Sequence, residues 1–501
     1  MLTRHPTAAH EASKPVQPDV VPSPEALAAE LGLSFKAAAE TIVPWFVSQM
    51  PRMYFEDTPP ATVASHLRAI IAARASGQPL HLTIRSEDER EWTMIRQGNR
   101  TGVLAEVAGS LPMDPPLRAA KIHSSRDGVL VLDTFEFGER VPFDPRNPAQ
   151  AEKLRATLEF AREKQLDWTE EEIHEYFACC AGDYLTTLTP HRLNKHRQLV
   201  AKVSGTDGAY METEPEADPT LTRITIAFSN ARTRTMLERC ALVLGRAGIG
   251  IQRAYLDQVV DPPHGRVTLL GFVIQTQDGK AIDVASPEWK RTEHELRRIK
   301  WVDFDSLEMA NRHAALTLDD AELVLALCTL SHQNLVHRDR LLFSIERITA
   351  TAERTIETVM RMTQLFRDRF NPEGPLADME FARRASAIRS EITQKDDPDG
   401  TAAILTSILE GIEAVYRTNY FVNGRYALAM RLDPQYLRDE RRPELPYGTF
   451  YVFGRGYFGF HNRFKEIARG GLRVIRPSNP AQHSRERDRL FDEVYGLSWA
   501  Q

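Results

Sequence analysis

Twice along this chain the hydrophobic period switches from two residues to about 3.6 and back, and that order constrains the fold more than any single motif. The first pass begins with the alternating run Glu91-Trp-Thr-Met-Ile-Arg96, a strand, followed by the turn Asn99-Arg-Thr-Gly102. Val103 to Leu111 reads as a helix with Val103, Leu104 and Val107 on one face. Ala119-Ala-Lys-Ile-His123 and Val129 to Phe137 read as strands joined through Ser-Arg-Asp-Gly. The second pass is weaker: a strand Arg223 to Ser229, then a helix Thr233 to Leu244 with Met236, Leu237, Cys240 and Leu244 inward. Strands Ile249 to Leu256 and Arg266 to Gln275 complete it. A helix-period run does not sit on a sheet face, so each pass predicts a small α+β unit. Two copies in one chain point to pseudo-symmetric pairing of their sheets.

The rest of the chain is organised around these passes. Residues 1–24, with five prolines and few large apolar groups, are expected to be a disordered tail. A helical segment 25–77 follows, the first α+β unit occupies 78–146, and a helical segment, 150–204, leads to the second at 205–285. From 286 to 416 the pattern is helical: Asp319-Asp320 can cap a helix carrying Leu323, Leu325, Leu327 and Leu330. Arg338 to Arg369 has heptad-like spacing through Leu341, Ile345, Ile348, Ala352, Ile356 and Val359, which suits a packed bundle or a subunit contact. Gln394 to Gly400 is a loop. Residues 417–501 return to strands at Thr418 to Pro434, Phe450 to Phe453 and Gly459 to Phe464, with a helix expected over Ser484 to Gly496.

Composition removes several function classes. A formal charge of -6 with 26% charged residues leaves no footprint for nucleic acid or an anionic membrane. Four cysteines without a Cys-x-x-Cys spacing argue for buried reduced thiols and a cytoplasmic protein. His332 and His337 stand five apart, off the spacing that shares a metal, and no Gly-x-Ser-x-Gly elbow supports a hydrolase. Gly454-Arg-Gly-Tyr-Phe-Gly459 spells a dinucleotide fingerprint, but no strand–turn–helix unit surrounds it; Gly245-Arg-Ala-Gly-Ile-Gly250 ends a helix instead of opening one.

The stretch from Tyr447 to Arg473, ending in Arg469-Gly-Gly-Leu-Arg473, resembles the glutamate-binding segment of the large, multidomain NAD-dependent glutamate dehydrogenases. Two glycines let backbone approach a small substrate, and flanking cations hold carboxylates. The resemblance implies Arg469, Gly470 and Gly471 as substrate contacts, with Arg473 supporting the turn. Taken alone, an Arg-Gly-Gly sequence is a common surface loop; the 27 matching residues around it carry the resemblance. The Pro-containing segment Tyr184 to His196 has counterparts in the same family. Thr101-Gly-Val-Leu-Ala-Glu106 resembles the turn of an ACT domain, so the two passes look like tandem ACT-like, ferredoxin-like modules.

The resemblance implies an α+β chain: ACT-like pair, helical region, and first strands of a glutamate dehydrogenase substrate domain. It implies L-glutamate and 2-oxoglutarate as ligands and a homo-oligomer. The family's catalytic lysine, in a Gly-Gly-x-Lys-Gly loop, and its NAD site are expected beyond Gln501, either in a second polypeptide or lost by truncation, with this chain an N-terminal part inactive alone. A non-catalytic amino-acid sensor is the alternative.

Overall fold

The computed structural model describes residues 21–31, 36–77, 79–261, 265–393, 399–436, 444–474 and Val494. They fall into two units, residues 1–238 with 248–282, and residues 239–247 with 283–501.

The first unit opens with helices α1 (Pro24–Leu31), α2 (Lys36–Gln49), α3 (Arg52–Asp57) and α4 (Pro60–Ala75). The first pass is β1 (His81–Arg85), β2 (Glu91–Gln97), α5 (Val103–Ser110), β3 (Leu117–Ser124) and β4 (Leu130–Phe137). Helices α6 (Pro148–Glu163), α7 (Glu170–Cys179), α8 (Gly182–Thr187) and α9 (Pro190–Val203) separate it from the second. That pass is β5 (Ala209–Pro215), β6 (Thr222–Ser229), α10 (Thr233–Arg246), β7 (Gly250–Asp261) and β8 (Gly265–Gln275). Gly102 starts α5 with a φ of +87°, which side-chain-bearing residues avoid.

All eight strands form one antiparallel sheet in the order β1-β2-β4-β3-β7-β8-β6-β5. Each half has the same order from outside to inside, and the corresponding inner strands β3 and β7 meet, with Lys121 opposite Tyr255 and Ile122 opposite Ala254. The sheet pairing expected from two copies of one pattern is therefore present. The sequence reading missed β1 and β5. Both are edge strands: no residue of β1 is buried, and only Met211 is in β5, so neither carries the apolar alternation that marks a strand.

On one face of this sheet, Phe46, Leu67, Ile70 and Ile71 of α2 and α4 pack on Ile95, Leu130 and Leu132 of the first half. Phe177, Leu185, Leu193 and Leu199 of α7–α9 pack on Ala227, Val259, Val267 and Leu269 of the second. Thr169 and Glu172 close a reciprocal capping box at the start of α7.

The second unit contains α11 (Pro287–Arg298), α12 (Phe304–Arg312), α13 (Leu318–Leu335), α14 (Ile345–Arg354), α15 (Ile356–Phe370), α16 (Asp378–Thr393) and α17 (Thr401–Glu413). Strands β9 (Val415–Thr418), β10 (Ala427–Leu432), β11 (Gly448–Gly454), β12 (Tyr457–Arg463) and β13 (Ala468–Val474) make a second antiparallel sheet, ordered β13-β12-β11-β10-β9. Helix α13 is buried on nearly every side, the mark of a central helix.

Three expectations are corrected here. The run from Arg338 to Arg369 is not one helix: Leu341 is 87% exposed, in a turn whose amides are held by the Asp339 carboxylate. The helix then begins at Ile345 and breaks at Thr355, whose hydroxyl bonds back to the Thr351 carbonyl. The strand expected over Thr418 to Pro434 is two strands, because the Asn419 amide bonds Ala427 and Ala429 across the gap and Gly424 turns the chain at a φ of +76°. The turn expected at Gly470-Gly471 is instead part of β13, the outer strand, with β11 and β12 internal. Most of the expected tail, the loop at 394–398 and the helix over 484–496 lie outside the described residues, except Val494, which is helical and buried.

Candidate functional site

The segment singled out by sequence is the outer part of the second sheet. In β11 every residue is buried, so its run of Thr449, Phe450, Tyr451, Val452 and Phe453 is apolar on both faces, as a central strand requires. Tyr451 donates its hydroxyl to the Ala326 carbonyl at 3.1 Å, fixing that face on α13. Ala427, Ala429, Phe450, Val452, Tyr457 and Val494 form the core of the other face.

The hairpin between β11 and β12 needs both of its glycines. A Cβ on Gly454 would stand 2.5 Å from the Tyr457 ring, and Gly456 takes a φ of +77°. Arg455 donates to the Lys300 carbonyl at 2.8 Å and the Gly456 amide to Asp303 at 2.8 Å, so the tip is pinned at the start of α12. The Gly-x-Gly-x-x-Gly spelling is thus a β-hairpin, with no helix N-terminus to meet a pyrophosphate. Every strand pairing among the described residues is antiparallel. No parallel βαβ crevice of the doubly wound dinucleotide-binding kind occurs among the described residues.

Arg469, Gly470, Gly471 and Arg473 lie together on β13, opposite Asn462, His461, Phe460 and Phe458 of β12. This corrects the sequence expectation of a turn: the two glycines extend a strand and present a backbone without side chains at the sheet's outer strand. Beside them stands a cationic group that sequence reasoning missed. The Arg463 guanidinium lies 5.0 Å from the Phe450 ring centre, Arg431 6.0 Å from it, and His461 is in ring contact with it. Arg463 Nε is 3.3 Å from His461 Nε2. Partial burial, then the Arg463 charge, lowers the His461 pKa and so favours the neutral imidazole. The available signal was the period-two spacing of His461 and Arg463, which puts them on one side of a strand.

Beneath the sheet lies a buried ion network joining the helical region to the loop before β10. Arg298 and Arg425, each all but inaccessible, reach the same Glu322 oxygen at 3.0 and 2.9 Å. Both also meet Asp319, Arg425 at 2.8 Å. Two guanidiniums against two carboxylates leave the core without net charge. Burial pushes the Glu322 carboxyl up, but Arg298 and Arg425 together pull it below the usual range. Asp320 caps α13 as expected and accepts the Tyr420 hydroxyl at 2.9 Å and Arg367 at 2.9 Å; Asp319 faces the arginines instead. Arg425 is over 100 residues from its partners, a separation at which no local pattern shows an ion pair.

This arrangement offers cations and bare backbone to a small dicarboxylate. A family-model match falls on the same stretch. Residues 388–501 match the family model described as "Bacterial NAD-glutamate dehydrogenase, catalytic domain". "Glutamate dehydrogenase 2" of Dictyostelium discoideum is 34% identical over 116 residues, 23% of this chain and 11% of that protein. "NAD-specific glutamate dehydrogenase" of Saccharomyces cerevisiae is 34% identical over 125 residues, 25% of this chain and 11% of the relative. A protein with that same description from Mycobacterium tuberculosis is 32% identical over 152 residues, 29% and 9%. The chain therefore spans about a tenth of these relatives' length, and the family-model match at 388–501 includes the sheet that bears Arg469 to Arg473.

Proposed function

We propose that this chain is the regulatory and substrate-loading portion of an NAD-dependent glutamate dehydrogenase, the oxidative deamination of L-glutamate to 2-oxoglutarate and ammonia. The observation that carries the reading is the coincidence of the family match at 388–501 with the β11–β13 sheet, where Arg469-Gly-Gly-Leu-Arg473 pairs with the strand that carries His461 and Arg463. In this reading Arg469 and the Gly470-Gly471 backbone hold the substrate's carboxylates, and Arg473 orders the strand. Charge-assisted bonds in a partly desolvated site position the substrate and bias it toward glutamate over monocarboxylates.

The two equivalent halves of the eight-stranded sheet support tandem ACT-like modules at 78–146 and 205–285. The segments 25–77, 150–204 and 286–416 serve as helical supports, and 417–501 starts the substrate domain. A cytoplasmic homo-oligomer goes with the same assignment.

The test is glutamate-dependent NAD reduction by the purified chain, alone and mixed with a polypeptide carrying the catalytic lysine and a dinucleotide fold. Activity confined to the mixture is expected. In that mixture Arg469→Ala should raise the glutamate KM by roughly 10- to 100-fold, the loss of one charged contact. An unchanged KM would remove Arg469 from the site.

A further inference from the structure

The five-stranded sheet gathers positive charge without gathering acid. Its register sets Arg431 of β10 opposite Phe450 of β11, Phe450 opposite His461 of β12, and Arg463 opposite Gly448. The two arginines therefore flank one buried ring from the strands on either side, and both guanidiniums contact it. Arg417 of β9, opposite Arg431, extends the row of positive charge.

Elsewhere in this unit the chain supplies its arginines with acids. Arg312 meets Glu353, Arg361 meets Glu391, Arg384 meets Asp368, and Arg389 meets Glu413. Among the described residues neither Arg431 nor Arg463 meets a carboxylate. Asp433, just past the end of β10, bonds the Tyr416 hydroxyl instead. A ring contact satisfies none of the five N–H donors of a guanidinium. Arg463 spends one of its own on His461 Nε2, at 3.3 Å. Both arginines are half-buried, so the other donors have given up part of their water without gaining a protein acceptor. Two like charges against one ring also repel each other. An anion between them relieves both costs.

Glycines leave room for it. A Cβ on Gly448 would stand 3.3 Å from the Phe450 ring and 4.0 Å from the Arg463 Cβ, so a bare backbone lets ring and arginine lie side by side. Gly470 of β13 stands opposite His461. Arg469 and Arg473 stand opposite Asn462 and Phe458, and successive rows alternate between the faces of a sheet. The row of Arg431, Phe450 and His461 is therefore not theirs.

We propose that Arg431 and Arg463 clamp an oxyanion over Phe450, the phosphoryl or carboxylate group of a small metabolite, at a site separate from the Arg469 to Arg473 segment. The fork of each guanidinium matches two oxygens of either group. An anion held there joins β10 to β12 across β11 and stabilises the folded sheet by mass action. The inference does not depend on the substrate assigned to β13.

Calorimetric titration of the full chain at constant ionic strength, with inorganic phosphate and with malonate, tests it. Malonate is a carboxylate too short to replace glutamate. Saturable binding of at least one probe is expected; tighter phosphate marks a phosphoryl ligand, and tighter malonate a carboxylate. Arg431→Met and Arg463→Met keep an apolar stem on the ring and should each weaken the preferred probe about tenfold or more, the loss of a charge-assisted contact. Arg463→Lys keeps the charge without the fork; it should weaken the probe less, and it serves if the methionine variant does not fold. Arg469→Ala should leave the affinity as it is. No saturable binding of either probe, an affinity indifferent to both methionine variants, or an equal loss with Arg469→Ala would each overturn the proposal.

Discussion

The two units bury carboxylates in opposite ways. In the second, Glu322 is sealed in the core, but two arginines share its oxygen and hold it ionised. In the first, burial and then repulsion from Asp183 outweigh the more distant Lys121 and Arg118 charges, and the Asp257 carboxyl is pushed well above the ordinary range. The difference teaches that burial alone does not mark a binding site. A buried carboxylate bonded directly by two guanidiniums is kept ionised, whereas one that meets cations only at longer range is pushed toward its protonated form.

The same chemical change should therefore have opposite signs in the two places. Glu322→Gln strips the counter-charge from Arg298 and Arg425 and should cost about 3–5 kcal/mol in urea unfolding of the full chain. A loss under about 1 kcal/mol would break the contrast, since it would show the network to be dispensable.

Acid should distinguish the units next. Burial holds His66 at about 4, and burial with cationic neighbours holds His123 and His196 at about 3. For His123 the neighbours are Arg253 and Lys121, and for His196 they are Arg192 and Arg223, partly offset by Glu214. These folded values lie below the unfolded value near 6.5, so the stability they confer is complete above pH 6.5 and declines as pH falls toward 3–4. Glu322, with a lowered pKa, loses its contribution only below the ordinary glutamate range. Hydrogen exchange should show amides of β3 and α9 opening at pH 5 before those of α13; the reverse order would put the acid-sensitive groups elsewhere.

Asp257→Asn is the counterpart of the first change. The Asp257 pKa is raised, so at neutral pH the residue works against folding, and the amide should stabilise the chain by about 1–3 kcal/mol. Destabilisation instead would show that the Lys121 and Arg118 charges outweigh burial. The smallest effect belongs to the hairpin: Gly456→Ala, at a φ of +77°, should cost about 1 kcal/mol and leave the pairing of β11 with β12 intact. A neutral result would mean that the tip relaxes despite its anchors at Lys300 and Asp303.

Legibility in the sequence followed the range of the interactions. Both passes could be read because Val103, Leu104 and Val107, or Met236, Leu237 and Cys240, repeat at helical spacing within one segment. The wholly apolar run of β11 was likewise local. Edge strands β1 and β5 escaped notice, their faces being half wet, and Thr355 broke a heptad pattern by a hydroxyl bond that spacing does not encode. Residues Arg469 to Arg473 were picked out by resemblance, but their strand geometry was not, since two glycines read more readily as a turn. Asp257, Glu322 and Arg425 could not be picked out at all. Each owes its character to groups tens to hundreds of residues away, and Asp257 sits in an otherwise ordinary strand sequence.

The β3–β7 pairing sets how the first unit can be taken apart. Cutting the connection between β4 and β5 would not free two self-sufficient domains. Each fragment would carry an inner strand stripped of its partner, β3 of eight residues or β7 of twelve, long enough to template pairing with another chain. Such fragments would seek their complement or one another, so this unit should be expressed, folded and degraded as a whole.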